Sequence, residues 1–402
     1  MSWAFRMLLM LFPWVLLGYL YSSYRLYSSF TQIHSFSKKR TLAIIGGVVL
    51  FLNSYPIIVL ILNLIGRSPG IFMSAPGLQW TDFVFVFPFW WGLVLMVETI
   101  PYFVGIDIIL LLTRFIKKIN KQYLKQIMAY SRIAILLIIA IYSGIRIYHD
   151  TYFVKRSEHN LYLQNLPENL NGLSITLLGD IQIDRYTQQT KINRLLEAAN
   201  QKESDILLFA GDLVTYGQYY IQQGLHLMCG LDAITARIAC LCDHDFWANA
   251  DKISIGLDEC GWDFLKNAHR IIEYNGQKIL ITGLTNIYSE KLTGAKLKLS
   301  LQNRPDADLK LLLVHQPSPE IIEMANQFGY NVVFAGHTHG GQVRFHPFGK
   351  EITPSMFETP YYSGVYQYKR MQIVVTNGVG LTFAPIRYGA PAEATVVYLK
   401  KK

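Results

Sequence analysis

The sequence predicts an α/β protein: N-terminal transmembrane helices, then mixed β-sheets flanked by helices. Three observations predict it. Residues 1–148 contain four long apolar stretches. From Leu173 onward, short runs of strand formers alternate with segments of helical spacing, the pattern of α/β layers. Charge divides at the same place: residues 1–148 carry 13 Lys/Arg against 3 Asp/Glu, and the remainder 24 against 25. The net charge of +9 therefore belongs to the N-terminal third. The rest has no basic excess, so no nucleic-acid partner is expected.

The membrane elements come first. Leu8–Tyr21, Thr41–Ile65, Phe83–Leu112 and Ile127–Tyr148 are apolar over most of their length. About 20 apolar residues cross a bilayer core. The first stretch has the length of a signal peptide, but no small-residue cleavage site follows it, so it reads as an anchor. Four transmembrane helices are expected over residues 1–148, with five as the alternative. Arg25, Lys38, Lys39 and Arg40 mark the first loop, and Arg114, Lys117, Lys118, Lys121 and Lys125 the third; the second has only Arg67. Basic loops face the cytoplasm. Four crossings then place the C-terminal part outside it, at the bacterial inner or plasma membrane. Glu98 and Asp107 read as helix–helix hydrogen-bonding groups or as placed at the membrane interface, rather than as a transport path.

Residues 149–172 read as a linker and entry hairpin, and residues 173–402 as one domain. Expected strands are Leu173–Leu178, Ile206–Ala210, Ala236–Cys242, Lys310–Val314, Asn331–Phe334, Gln372–Thr376 and Thr395–Leu399. Arg270–Tyr274 and Lys278–Thr282 flank Asn275-Gly276, a strong hairpin signal. Expected helices are Gln188–Asn200, Ile253–Cys260 and Ser318–Phe328. The four cysteines, Cys229, Cys240, Cys242 and Cys260, match no zinc-ribbon or thioredoxin spacing. They read as buried thiols, with one disulfide open to them in an oxidising compartment.

Chemistry gathers where the strands end. Asp180 and Gln182 follow the first strand and Asp212 the second. Asp243, His244 and Asp245 follow the third, His315 the fourth, His337 and His339 the fifth. Ligands of α/β folds collect beyond strand carboxyl ends. Each element alone could be a polar turn; five in succession point to one site. A mixed carboxylate and imidazole set suits Mn, Fe, Zn or Co rather than Mg or Ca.

These residues are where the chain resembles the calcineurin-like metallophosphoesterase superfamily, in its membrane-anchored bacterial, YkuE-like branch. The resemblance covers about residues 170–400. It is carried by Leu208-Phe209-Ala210-Gly211-Asp212-Leu213-Val214, Val314-His315-Gln316-Pro317, the Gly336–Gln342 stretch, Pro385-Ile386-Arg387-Tyr388 and Pro391-Ala392-Glu393. It implies a calcineurin-like sandwich of two mixed sheets flanked by helices, with two divalent metal ions at the strand ends. By that likeness Asp180 holds the first metal, Asp212 bridges both, and His339 completes the first site. His315 and His337 hold the second. His244 acts near the phosphate as proton donor or electrostatic stabiliser, oriented by Asp245 or another carboxylate. The implied reaction is hydrolysis of a phosphate mono- or diester by a metal-activated hydroxide. The implied partners are the lipid bilayer and a phosphorylated small molecule or lipid substrate.

Two positions depart from that pattern. Gln182 replaces a histidine, which weakens the first metal site. Cys242-Asp243-His244-Asp245 replaces Gly-Asn-His-Asp, and Asp243 adds a negative ligand to the second. The alternative expectation is thus a degenerate member that binds a phosphorylated ligand or regulates a partner without efficient hydrolysis. Arg387 can pair with phosphate or with Glu393, and Asn377-Gly378-Val379-Gly380 is a glycine-rich turn.

Overall fold

The computed structural model describes residues 3–33, 37–67, 76–116, 118, 120–285, 291–292, 294–382 and 384–402; Lys117 of the third loop lies outside them. Two compact units divide the chain, residues 1–148 (with 345–351 and 383–386) and the remainder.

The first unit is helical: α1 (Trp3–Ile33), α2 (Lys38–Leu52), α3 (Ser54–Leu64), α4 (Phe87–Leu112, entered through a π-turn at Asp82–Val86) and most of α5 (Lys121–Tyr152). Among the described residues, Asp82–Phe115 and Lys121–Tyr152 are long and apolar enough to cross a membrane. The bent pair α2 and α3, meeting at 61°, makes a third candidate if it is one span. Four crossings were expected from the sequence; the first of them, Leu8–Tyr21, falls inside α1. The expected Thr41–Ile65 span is broken at Asn53, whose side chain donates to the Val49 carbonyl at 2.8 Å and competes with the continuing helix. Asp107 joins three helices. It lies 2.6 Å from Arg25 of α1 and 2.5 Å from Arg132 of α5, and accepts from Tyr21 at 2.8 Å. That is the helix–helix bonding anticipated for it.

The second unit contains two six-stranded sheets. Its elements are β1 (Val154–Leu163), β2 (Ser174–Leu178), α6 (Gln189–Asn200), β3 (Ser204–Phe209), α7 (Ile221–Cys229), β4 (Ala233–Ala239), α8 (Asp243–Ala248), α9 (Ala250–Glu259), β5 (Asp263–Phe264), β6 (Ala268–Tyr274), β7 (Gln277–Leu284), α10 (Gly294–Gln302), β8 (Leu309–Val314), α11 (Pro319–Gln327), β9 (Val332–Ala335), β10 (Gly364–Tyr368), β11 (Met371–Val375) and β12 (Ala392–Lys401). The sheet orders are β1-β12-β2-β3-β4-β5 and β10-β11-β9-β8-β7-β6, each with parallel and antiparallel neighbours.

Alternation along the strands builds the layers. Ile175, Leu177, Ile206 and Leu208 of one sheet meet Ile281, Leu311, Leu313 and Phe334 of the other in a shared core. The residues between them, Leu178, Leu207 and Phe209, face α6, α7 and α9. Val314, Val333 and Val375 face α10 and α11. Strands buried on both faces read as continuous apolar runs, which is why they were visible in the sequence.

Residues 149–172 are not a linker and hairpin. β1 pairs in parallel with β12 over ten residues, Val154↔Ala392 to Leu163↔Lys401. Only Ser157, Leu161 and Leu163 of that strand are buried, so its apolar signal is faint. The Asn275-Gly276 turn is as expected, with φ of 49° and 76°.

Candidate metal centre

The parallel neighbours β2, β3 and β4, and β8 and β9, end side by side. Their register continues past the strands: Asp180 N–H donates to Gly211 O at 2.9 Å, Gln182 N–H to Asp212 O at 2.8 Å, and Gly336 N–H to His315 O at 3.0 Å. The chain then turns sharply. Asp180, Gln182, Asp212, His337 and His339 all have positive φ, between 42° and 75°. Non-glycine residues in the left-handed region cost on the order of 1 kcal/mol each and collect at functional sites. Gly336 sits where a Cβ would strike Asp180 Oδ2, so only glycine lets β9's end approach. His337 N–H then donates to Asp180 Oδ2 at 2.7 Å.

Asp180, Asp212, His315 and His339 converge, and all four are buried. Asp180 Oδ1 is 3.5 Å from His339 Nε2 and 3.9 Å from His315 Nε2; Asp212 Oδ2 is 3.5 Å from His315 Nε2. His315 is held by Nδ1 against the Ala210 carbonyl at 2.8 Å. Burial pushes His315 down to about 4 and His339 well below its usual range, the latter helped by Arg387. Both imidazoles are thus neutral at pH 7, the form that ligates metal. Burial, then the Asp212 charge, pushes Asp180 up. Asp212 moves down: burial opposes its charge, but His315, His244, Cys242 and Gln182 outweigh burial. Asp180 Oδ1 is buried with no hydrogen-bond partner. A buried carboxyl oxygen without a hydrogen-bond partner, beside neutral imidazoles, is a donor set that fits divalent cations.

The remaining expected residues divide. His337 rings edge-on to His315, with centroids 5.1 Å apart, and its Nε2 meets Glu358 Oε1 at 2.8 Å. Glu358 also accepts from Gln316 at 2.7 Å. Gln182 Nε2 donates to Asp212 Oδ2, and Gln182 Oε1 accepts from Thr382 Oγ1 at 2.8 Å. Thr382 Oγ1 is also 2.8 Å from His339 Nε2. Asp243 is buried on the first turn of α8, but the close donor cluster among the described residues is Asp212, Cys242 and His315, all within 4.8 Å of one another. The third motif therefore brings Cys242 to those donors.

Asp245 does not orient His244. Its carboxylate accepts from the backbone N–H groups of Asp212, Leu213 and Cys242 at 2.8–3.1 Å, tying β3's end to β4's. The partner of His244 Nδ1 is the Thr215 carbonyl, and Trp247 packs on its ring at 4.8 Å. Among the described residues, Arg387 makes no hydrogen bond to Glu393. It is buried and donates to the carbonyls of Gly380, His339, Ala390 and Asn377 at 2.7–3.1 Å. Glu393 accepts instead from Ser157, Asn377 N–H and Thr395. The glycine-rich turn at 377–380 is the object of this brace.

Sequence reasoning missed Glu358, Thr382 and Cys242 as neighbours of the centre. Glu358 and Thr382 lie in loops with no periodic signal, while Cys242 showed only as a lost glycine.

The family model described as "Calcineurin-like phosphoesterase" matches residues 173–341. The Bacillus subtilis (strain 168) "Uncharacterized metallophosphoesterase YkuE" is 26% identical over 259 residues, 63% of this chain and 88% of that one. "Uncharacterized protein YpbG" of the same organism is 34% identical over 235 residues, 56% of this chain and 81% of that one. The Danio rerio "Transmembrane protein with metallophosphoesterase domain" is 24% identical over 248 residues, 60% of this chain. The match spans only 56% of that longer relative.

Proposed function

The chain belongs to the calcineurin-like phosphoesterase family, and from that premise we propose that it is a membrane-anchored, metal-dependent hydrolase of a phosphate mono- or diester. The observation that carries the reading is the buried contact set of Asp180, Asp212, His315 and His339, with Asp180 Oδ1 unmatched. Two divalent ions, from Mn, Fe, Zn or Co, would polarise the phosphate oxygens and acidify a water. Asp180 and His339 would hold the first, His315 and His337 the second, and Asp212 would serve both. His244, fixed through Nδ1 on the Thr215 carbonyl, keeps Nε2 for the leaving oxygen, where it donates a proton or steadies charge. Asp245 is a positioning residue: it holds the Asp212 turn in place through backbone N–H groups.

The catalytic unit lies outside the cytoplasm in this reading, and the anchor favours a lipid-linked phosphate as substrate. The basic first and third loops support that orientation, as does the Cys229–Cys260 disulfide, a bond of oxidising compartments. Purified full-length protein should cleave bis-p-nitrophenyl phosphate when supplied with Mn or Zn. Absence of turnover with every metal, or turnover that survives Asp212→Ala, rules the reading out.

A second reading has one observation in its favour. Gln182 spends both ends of its amide on Asp212 and Thr382, so the first metal lacks a ligand there. The chain would then bind a phosphorylated ligand without efficient hydrolysis. Turnover rising by orders of magnitude from zero in Gln182→His with Asp243→Asn supports it; good turnover by the native protein excludes it.

A further inference from the structure

Cys242 stands where β4's end meets the centre. Its side chain is fully buried, yet its sulfur faces acceptors. Sγ contacts Asp212 Oδ1 and lies 3.7 Å from Asp245 Oδ2. Sγ, an Asp212 oxygen and a His315 ring nitrogen form a triangle with no side above 4.8 Å. The backbone fixes this placement. Cys242 is extended (φ −138°, ψ −169°) immediately before α8, with its N–H on Asp245. Gly211, at φ 94°, sits so close that a Cβ there would be 3.2 Å from Cys242 Cβ.

The other cysteines serve as contrast. Cys240, two residues earlier, packs in the apolar core between the sheets, where a buried thiol acts as a small hydrophobe. Cys229 and Cys260 are bonded to each other. Cys242 alone among them is set against a carboxylate and an imidazole. Independently, the unmatched Asp180 Oδ1, 3.9 Å from His315 Nε2, marks these donors as a cation site.

We propose that Cys242 is a thiolate ligand of the second metal, sharing it with Asp212 and His315, and that this sulfur biases the site toward zinc or ferrous iron over manganese. Thiolate ligands favour such ions, whereas an all-oxygen and imidazole set also accepts manganese. The metal–sulfur bond forms as the thiol proton leaves to solvent. Asp243 is then released from the ligand role and remains on the first turn of α8. The inference rests on the metal reading of the site given above.

The test uses full-length protein in detergent, stripped of metal and titrated with cobalt(II). Wild type should develop near-ultraviolet thiolate-to-cobalt charge-transfer absorption together with visible d–d bands. Cys242→Ser should lose the first and keep the second, and Cys240→Ala should keep both. Cys242→Gly, which removes the side chain, guards against misfolding of the serine variant and should behave like it. In competition, the Zn-over-Mn preference should fall on the order of tenfold or more in Cys242→Gly. Visible bands without charge transfer in wild type, or a charge-transfer band that survives in both Cys242 variants, overturn the ligand role alone. No cobalt binding at all overturns it together with the metal reading beneath it.

Discussion

Gln182 turns its amide nitrogen to Asp212, Nε2 donating to Oδ2 at 3.0 Å. One oxygen of the carboxylate expected to bridge two metals is thus already in a hydrogen bond, and the Gln182 oxygen is occupied by Thr382. Gln182→His frees that carboxylate oxygen and adds an imidazole. The first metal should bind on the order of tenfold tighter or more, read as metal content per chain after dialysis against a weak chelator. Unchanged content would mean that the amide is not what limits the first site.

His337 is backed by Glu358, which receives its Nε2 at 2.8 Å. A carboxylate behind a ligating histidine fixes its orientation and raises its basicity. Glu358→Gln should weaken metal binding about 10–100-fold while leaving the fold intact. Isothermal titration with zinc, alongside circular dichroism, checks both halves; equal affinity for the two proteins would leave Glu358 without this role.

Arg387 holds the 377–380 turn and the His339 loop together from a fully buried position. Arg387→Met leaves these carbonyls without their donor, and should destabilise the unit by about 3–5 kcal/mol. The denaturant midpoint measures it. A loss under 1 kcal/mol would contradict the brace.

Lys191 is buried in α6 with no hydrogen-bond partner for Nζ. Burial first, then Arg387, pushes it from 10.5 down to about 7. Between those values the unfolded chain binds the proton and the folded chain does not, so stability rises with pH through that window. Below about 7 both states carry the proton and the burial penalty is constant. Lys191→Met should therefore be more stable than wild type by a few kcal/mol at and below pH 7, with the margin closing toward pH 10.5. Unfolding curves at pH 6, 8 and 10 read this directly, and a margin independent of pH would refute it.

Cys229 ends α7 and Cys260 follows α9, with Cα atoms 5.1 Å apart. Their bond closes a loop of 31 residues and should contribute about 2–4 kcal/mol. Chain isolated without reductant should carry two alkylatable thiols, Cys240 and Cys242, once unfolded. Four would show that the bond does not form.

What the sequence disclosed follows from burial. β2, β3, β8 and β9 are buried on both faces, so their apolar runs stood out, and the polar residues after them stood out by contrast. β1 escaped notice because it alternates weakly at a sheet edge, and its pairing with β12 joins residues over 200 positions apart. The donors at the centre were nameable because each follows a strand. Their supports were not: Glu358 and Thr382 act from loops, and the role of Asp245 is to bind backbone, which no side-chain pattern encodes. Arg387 suggested a phosphate or carboxylate partner by its charge, and only the fold shows it ringed by carbonyls.

Metal content tests the central claim most directly. Wild-type protein purified without chelator should carry one or two tightly bound divalent ions per chain by elemental analysis, and Asp212→Asn should carry close to none. A folded wild-type protein that binds no divalent ion, or an Asp212→Asn variant that retains the full complement, would contradict the account.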